Sequence, residues 1–126
     1  MNLLKKYFRK KIILIDRFTD STIAYQHYGL GVNIKLINFV NDYLTKNFKV
    51  DFTFLNVVSN KNMLKRLKKR NILNRYDKFS NNFYQKVQNG FLKLSKKKKN
   101  KYQIINSNLD IDYNKKNIIK KIDRLI

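Results

Sequence analysis

The tightest constraint in this chain is a four-residue apolar run, Ile12-Ile13-Leu14-Ile15, that stops at an acid–base pair, Asp16-Arg17. A short run of β-branched and aliphatic residues before a turn predicts a strand buried on both faces of a parallel sheet. Open α/β sheets bind ligands beyond the carboxyl ends of their strands. Asp16 and Arg17 therefore stand where a ligand would lie. A polar segment follows, with Thr19, Asp20, Ser21, Thr22, Tyr25 and Gln26, and it closes on Gly29 and Gly31.

The other elements follow in order. Leu3, Leu4, Tyr7 and Phe8 fall at helical spacing ahead of the first strand. Asp20 or Ser21 is placed to cap a helix from Thr22 to about Tyr28. Asn33 is a good N-cap for the next helix, whose stripe is Ile34, Ile37, Val40, Asn41, Leu44 and Phe48, flanked by Leu36, Phe39 and Tyr43. Asp51–Val58 reads as a second strand and Asn60–Arg70 as a helix with Met63, Leu64 and Leu67 facing in. Phe79–Lys97 is a long helix burying Phe79, Phe83, Val87, Phe91 and Leu94. Tyr102–Ile105 is a third short strand, and Asp112–Ile126 closes the chain as a helix. Strands alternating with helices in this way give an α/β domain with a parallel sheet of about three strands.

Composition excludes several chemistries. The chain has no cysteine and a single histidine, His27. Disulfides, thiolate metal sites, cysteine nucleophiles and histidine metal clusters are ruled out. No run approaches the length of a membrane span. The basic and apolar N-terminus has no small-residue cleavage site after it, and it reads as a core strand rather than a signal peptide. The net charge of +21, from 29 basic against 8 acidic residues, raises the question of nucleic acid. The basic residues are spread along the chain rather than set in one aromatic-interleaved block, which disfavours that partner. Lysine, asparagine and isoleucine all have AT-rich codons, so drift in an AT-rich genome accounts for the bias. The run Lys96–Lys99 reads as a solvated helix end. Cytoplasm, or the stroma of an organelle such as a plastid, fits this composition.

The residues around the first turn resemble the thymidylate kinase family. That family carries a DR(Y/F/H) motif, then Ser, then AYQG and a glycine-rich turn. Here these are Asp16-Arg17-Phe18, Ser21, Ala24-Tyr25-Gln26, Gly29 and Gly31. The resemblance continues downstream. Asp51–Val58 is similar to a PDLTFLLD strand, with Val50 for proline. Asn60–Arg70 is similar to a GLKRLKKR helix entering a mobile lid at about residues 70–77, where Asn74, Arg75, Tyr76 and Asp77 match DR(F/I)E. FYQKVQNGFLKLS, from Phe83 to Ser95, matches FHQRVREGYLELA. His27 and Leu30 depart from the pattern, which commonly has glycine and arginine there. His27 reads as a surface residue.

The resemblance implies a partial P-loop nucleoside-monophosphate-kinase-like fold of three layers, formed by one truncated domain over residues 1–126. It implies transfer of a phosphoryl group from ATP to dTMP, with Mg2+ as cofactor. Arginine suits phosphate because its planar fork binds two oxygens at once. By resemblance, Arg17 holds the phosphate of dTMP and Asp16 organises the magnesium end of the site. Ser21 and Gln26 recognise the thymine, and Tyr25 packs on the sugar. Arg66, Arg70 and Arg75 are the lid candidates, with Arg70 and Arg75 catalytic in an order left open. Asn106 and Ser107 stand near the adenine.

One feature of the family is missing from these residues. Its phosphate loop is glycine-rich and ends in Gly-Lys-Ser/Thr, whereas the only glycines here are Gly29, Gly31 and Gly90. The chain therefore matches the C-terminal two-thirds of such a domain, without roughly its first 80 to 90 residues. Strands deprived of a neighbour would expose apolar edges and faces. The expectation is little or no turnover alone, with either a homodimer or a separate N-terminal fragment as partner. The alternatives are a basic nucleic-acid-binding module and an interaction remnant that only dimerises.

Overall fold

The computed structural model describes residues 6–7, 10–46, 48–70 and 80–126. Most of the Leu3–Phe8 helical stretch, Phe79, and lid residues 71–77 with Arg75 and Tyr76 lie outside the described residues. Helix α1, Thr19–Thr22, runs directly into a π-helix, Ile23–Gly29. Helix α2 is Ile34–Thr45, strand β1 Thr53–Val57, helix α3 Asn60–Lys68 and helix α4 Asn81–Lys97. A short 3-10 turn, Lys99–Lys101, leads to β2, Tyr102–Asn106, and then to α5, Ile111–Ile122.

Capping explains where most helices start. The Asn33 side chain accepts from the Lys35 N–H at 2.8 Å and opens α2. Ser59 and Ser80 do the same for α3 and α4. Asp110 accepts from the N–H groups of Asp112 and Tyr113 and opens α5. Each side-chain oxygen satisfies an amide that has no partner inside its helix. Asp20 and Ser21 do not act in this way. Phe18 holds the capping position of α1 with no side-chain hydrogen bond, and Asp20 and Ser21 lie within the helix.

The sheet is parallel, as a strand–helix–strand order requires. Leu55 of β1 lies opposite Ile104, and Asn56 opposite Ile105. Its observed membership is smaller than expected: among the described residues, β1 and β2 form a two-stranded sheet. Ile12–Ile15 is unpaired, with Leu14 84% and Ile12 64% exposed. The run has strand composition but no ladder, and a strand is made by its neighbour rather than by propensity alone. Ile15 and, on β2, Ile104 are exposed as well.

The core lies where the π-helix meets α4. Ala24, Phe83 and Val87 are buried there, with Tyr25, Tyr84 and Phe91 packed against them. Leu55 and Ile105, which lie on opposite faces of the sheet, are each buried, as are Ile37 and Leu94. The stripe on α2 behaves differently from expectation. Ile37 and Asn41 are buried, whereas Val40 and Leu44, with Leu36, Phe39 and Tyr43, are exposed. His27 is part-buried rather than on the surface, and its Nδ1 lies 2.9 Å from the Val32 carbonyl oxygen.

Two glycines allow the close approach of the π-helix and α4. A Cβ on Gly29 would lie 2.6 Å from Cε2 of Phe83. One on Gly90 would lie 2.5 Å from Cδ2 of Tyr28 and 2.8 Å from its Cβ. In an open helix, Gly→Ala stabilises by about 1 kcal/mol. Here the obstacle includes the stem of Tyr28, which moves only with its backbone, and overpacking costs about 1–3 kcal/mol. Gly90→Ala is therefore expected to lower the urea midpoint. A raised midpoint would show that the two helices are not in contact at this point.

Candidate active site

The chain places its candidate residues in two groups, both attached to α4. The first group is built on the turn after Ile15. Arg17 has φ +64°. Lys46 also has positive φ, but it sits at the C-cap of α2, where a left-handed residue commonly ends a helix. Arg17 has no such local reason. A non-glycine residue held there costs of order 1–3 kcal/mol, and such strain gathers at functional sites.

The Arg17 guanidinium lies over the Tyr25 ring, 5.2 Å from its centroid. Tyr25 in turn meets Phe83 and Phe91 of α4 edge to face, at centroid distances of 6.0 and 6.3 Å. The ring is thus wedged in the core while its outer face carries the exposed arginine. An exposed cation–π contact is worth about 0.5–1 kcal/mol. It orients the guanidinium without consuming its hydrogen-bond donors.

Ser21 and Gln26 are half-buried on the same segment. The backbone here is unusual: Leu30 N–H reaches the Tyr25 carbonyl at 3.1 Å, the i→i+5 spacing of a π-helix. Short π-helical segments are rare and recur at functional sites. The Gln26 carbonyl accepts from the Val32 N–H at 2.9 Å, so its side-chain amide is not needed for the turn.

The second group lies at the carboxyl ends of β1 and β2. Arg66 Nη2 donates to the Ser107 carbonyl oxygen at 2.6 Å. Asn108 Oδ1 accepts from Ser59 N–H at 3.0 Å and from Asn62 Nδ2 at 2.9 Å. Asn106 Oδ1 accepts from Asn108, and Ser107 Oγ lies 3.5 Å from Asn56 Oδ1. This end of a parallel sheet is where ligands of open α/β proteins bind. Three of the four residues predicted for nucleotide contact, Arg66, Asn106 and Ser107, are brought together here. Arg70 follows α3 and is exposed, and Arg75 lies outside the described residues.

Helix α4 connects the two groups. Its Phe83 and Phe91 support Tyr25, while Gln88 Oε1 accepts from Val58 N–H at 3.1 Å, just beyond β1. Asn62, Gln88 and Asn108 were not singled out from sequence. Asparagine is abundant in this chain, so nothing in the letters marks out the ones that bridge the strand ends.

Asp16 is exposed. Among the described residues, no group of three or more His, Cys, Asp or Glu side chains assembles as a metal site. A single carboxylate is nonetheless the kind of donor that hydrated Mg2+ uses alongside substrate phosphates. Two cavities accompany the site. One of about 360 Å3 is lined by Phe18, Asp20, Ile23, Asn41, Lys98 and Tyr102 among others. The second, of about 440 Å3, is lined by Tyr28, Leu30, Lys86 and Lys93 among others. Arg17 and Arg66 are exposed, and neither lines these two cavities. No helix among the described residues is long and apolar enough to cross a membrane.

A parallel α/β unit with polar groups at the carboxyl ends of its strands, and an arginine-bearing turn packed through Tyr25 on α4, fits a nucleotide-binding α/β fold. Comparison with known proteins agrees. The family model for thymidylate kinase matches residues 2–118, and the chain belongs to that family. The thymidylate kinase of Wolbachia pipientis is 37% identical over 105 residues, covering 83% of this chain and 49% of that protein. That of Mycoplasma capricolum is 38% identical over 112 residues, covering 86% of this chain and 53% of that protein. The crystal structure of thymidylate kinase from Ehrlichia chaffeensis matches with a TM-score of 0.64 at 29% identity, over 94% of this chain and 54% of that one. The chain thus spans about half the length of the curated relatives it matches.

One contact beside the first group sets a pH test. The Tyr102 hydroxyl donates to Asp20. Burial first, and then the hydrogen bond and charge of Asp20, push the Tyr102 pKa well above the ordinary phenol value. The raised value favours the protonated form in the folded chain. Stability from this group is fully present below about pH 10, the pKa of an unfolded tyrosine, and is lost as pH rises beyond it. Chemical denaturation from pH 9 to 11.5 should show a steeper loss of stability in the wild type than in Tyr102→Phe. Parallel curves would mean that the phenol is not held by Asp20.

Proposed function

We propose that this chain supplies the dTMP-binding side, and part of the ATP-binding side, of a thymidylate kinase converting ATP and dTMP to ADP and dTDP. The observation that carries the reading is Arg17: strained, exposed, and held over Tyr25 inside the matching motif. Phosphoryl transfer asks the protein for positioning and charge neutralisation. Arg17 offers a two-pronged donor to the dTMP phosphate. Ser21 and Gln26 offer the donor and acceptor that a thymine edge requires, and Tyr25 forms a wall for the sugar.

On the other side, Arg66 fixes the loop of Asn106 and Ser107 by its bond to the Ser107 carbonyl. That loop is the proposed neighbour of the adenine. Arg70 and Arg75 belong to the proposed lid, about residues 70–77, which would close over ATP, exclude water and add positive charge at the transferring group. Asp16 is the proposed carboxylate for Mg2+, which when bound neutralises phosphate oxygens. These 126 residues contain no Gly-Lys-Ser/Thr loop, so in this reading a separate segment would supply the cradle for the ATP phosphates.

Isothermal titration of the chain with dTMP at two salt concentrations tests the reading. Saturable binding with weak salt dependence is expected, and Arg17→Ala should weaken it about 10- to 100-fold, the worth of charged hydrogen bonds. Equal binding by wild type and Arg17→Ala would refute the assignment. A steep fall with salt would instead favour a polyanion-binding module.

A further inference from the structure

Arg17 is strained and exposed, so something must hold it in place before a ligand arrives. Its upstream side offers little, since Ile12–Ile15 is unpaired. Downstream, the side-chain hydrogen bonds that tie residues 16–22 to the rest of the described chain all end on Asp20. The Asp20 carboxylate accepts from the Tyr102 hydroxyl, on the first residue of β2. It also accepts from Lys98 Nζ at 3.0 Å, at the C-cap of α4. These partners lie 82 and 78 positions away along the chain.

Exposure ranks the two bonds. The Asp20 side chain is 18% exposed and that of Lys98 48%. The lysine pair is therefore open to solvent and screened, while the tyrosine bond is the sheltered one. Between Asp20 and Arg17 the chain has little slack. Phe18 is extended, at φ −137° and ψ −154°. Ser21 N–H returns to the Phe18 carbonyl at 2.9 Å and closes the turn.

We propose that Asp20 is the positioning residue for Arg17: by bonding Tyr102 and Lys98 it clamps the turn to the base of β2 and the end of α4. It keeps the Arg17 backbone at positive φ and so the guanidinium over Tyr25. The inference rests on the assignment of Arg17 to the dTMP phosphate. Asp20 is also one of only eight acidic residues among 29 basic ones. Of the lysines around it this acid pairs with one, Lys98, and it takes the Tyr102 phenol as its second partner.

Two readouts test it, one of them independent of any ligand. A residue with positive φ gives an intense intraresidue Hα–HN cross-peak in a short-mixing NMR experiment. Arg17 should show it in the wild type and lose it in Asp20→Ala, with the β1–β2 cross-peaks retained. Asp20→Asn keeps an oxygen for the Tyr102 hydroxyl and should preserve most of the signal. Tyr102→Phe should weaken it, which covers the case of an alanine variant that fails to fold. In titrations, Asp20→Ala should weaken dTMP binding about tenfold while leaving thymidine binding unchanged, the size expected when a strained residue is released. Adding Asp20→Ala to Arg17→Ala should cost nothing further. An unchanged Arg17 cross-peak in both Asp20→Ala and Tyr102→Phe would overturn the proposal. A wild type that binds no dTMP, yet whose Arg17 signal depends on Asp20, would leave the clamp standing and remove the substrate assignment instead.

Discussion

The contact between the π-helix and α4 is the interaction on which the rest of this structure depends. Ala24 is fully buried there, and Gly29 and Gly90 let the two backbones close to a distance that a methyl group would block. From that contact α4 extends support in two directions. Its aromatic face wedges Tyr25 beneath Arg17, and its Gln88 holds the chain just past β1. A shift of α4 would move both groups of candidate residues together. The helix is thus the common reference frame for a site whose parts come from distant stretches of sequence.

The core that supports this frame is thin. Among the described residues no large side chain is completely buried, and apolar groups lie bare on Ile12–Ile15 and along one side of α2. All-parallel sheets normally occur with both faces covered, and a two-stranded one has an open edge on each strand. Among the described residues the exposed apolar surface is extensive. The relatives, twice as long, are consistent with that picture.

Much of this was legible in the letters because it is local. Asn33 announces α2, the phenylalanine and valine spacing announces α4, and the short β-branched runs announce β1 and β2. What the letters could not carry is non-local. Ile12–Ile15 has every local mark of a strand, and only the absence of a paired neighbour keeps it from being one. The π-helix escapes a search for 3.6-residue periodicity, since seven residues are too few to reveal a wider turn. Asp20 looks like a helix cap, and its partners 78 and 82 residues away make it a clamp instead. The Arg17 motif was legible for a different reason: several polar residues at fixed spacing coincide, whereas a lone Asp-Arg pair would have said little.

The central claim is that these residues form one part of a phosphoryl-transfer site whose phosphate cradle lies elsewhere. The most direct measurement is dTMP-dependent ADP formation with ATP and Mg2+. It would be made on the chain alone and on the chain mixed with a polypeptide bearing a glycine-rich Gly-Lys-Thr loop. The account predicts no turnover from the chain alone, turnover from the mixture, and its loss when the chain carries Arg17→Ala. Turnover that survives Arg17→Ala, or a confirmed complex of the two pieces that remains inert, would contradict it.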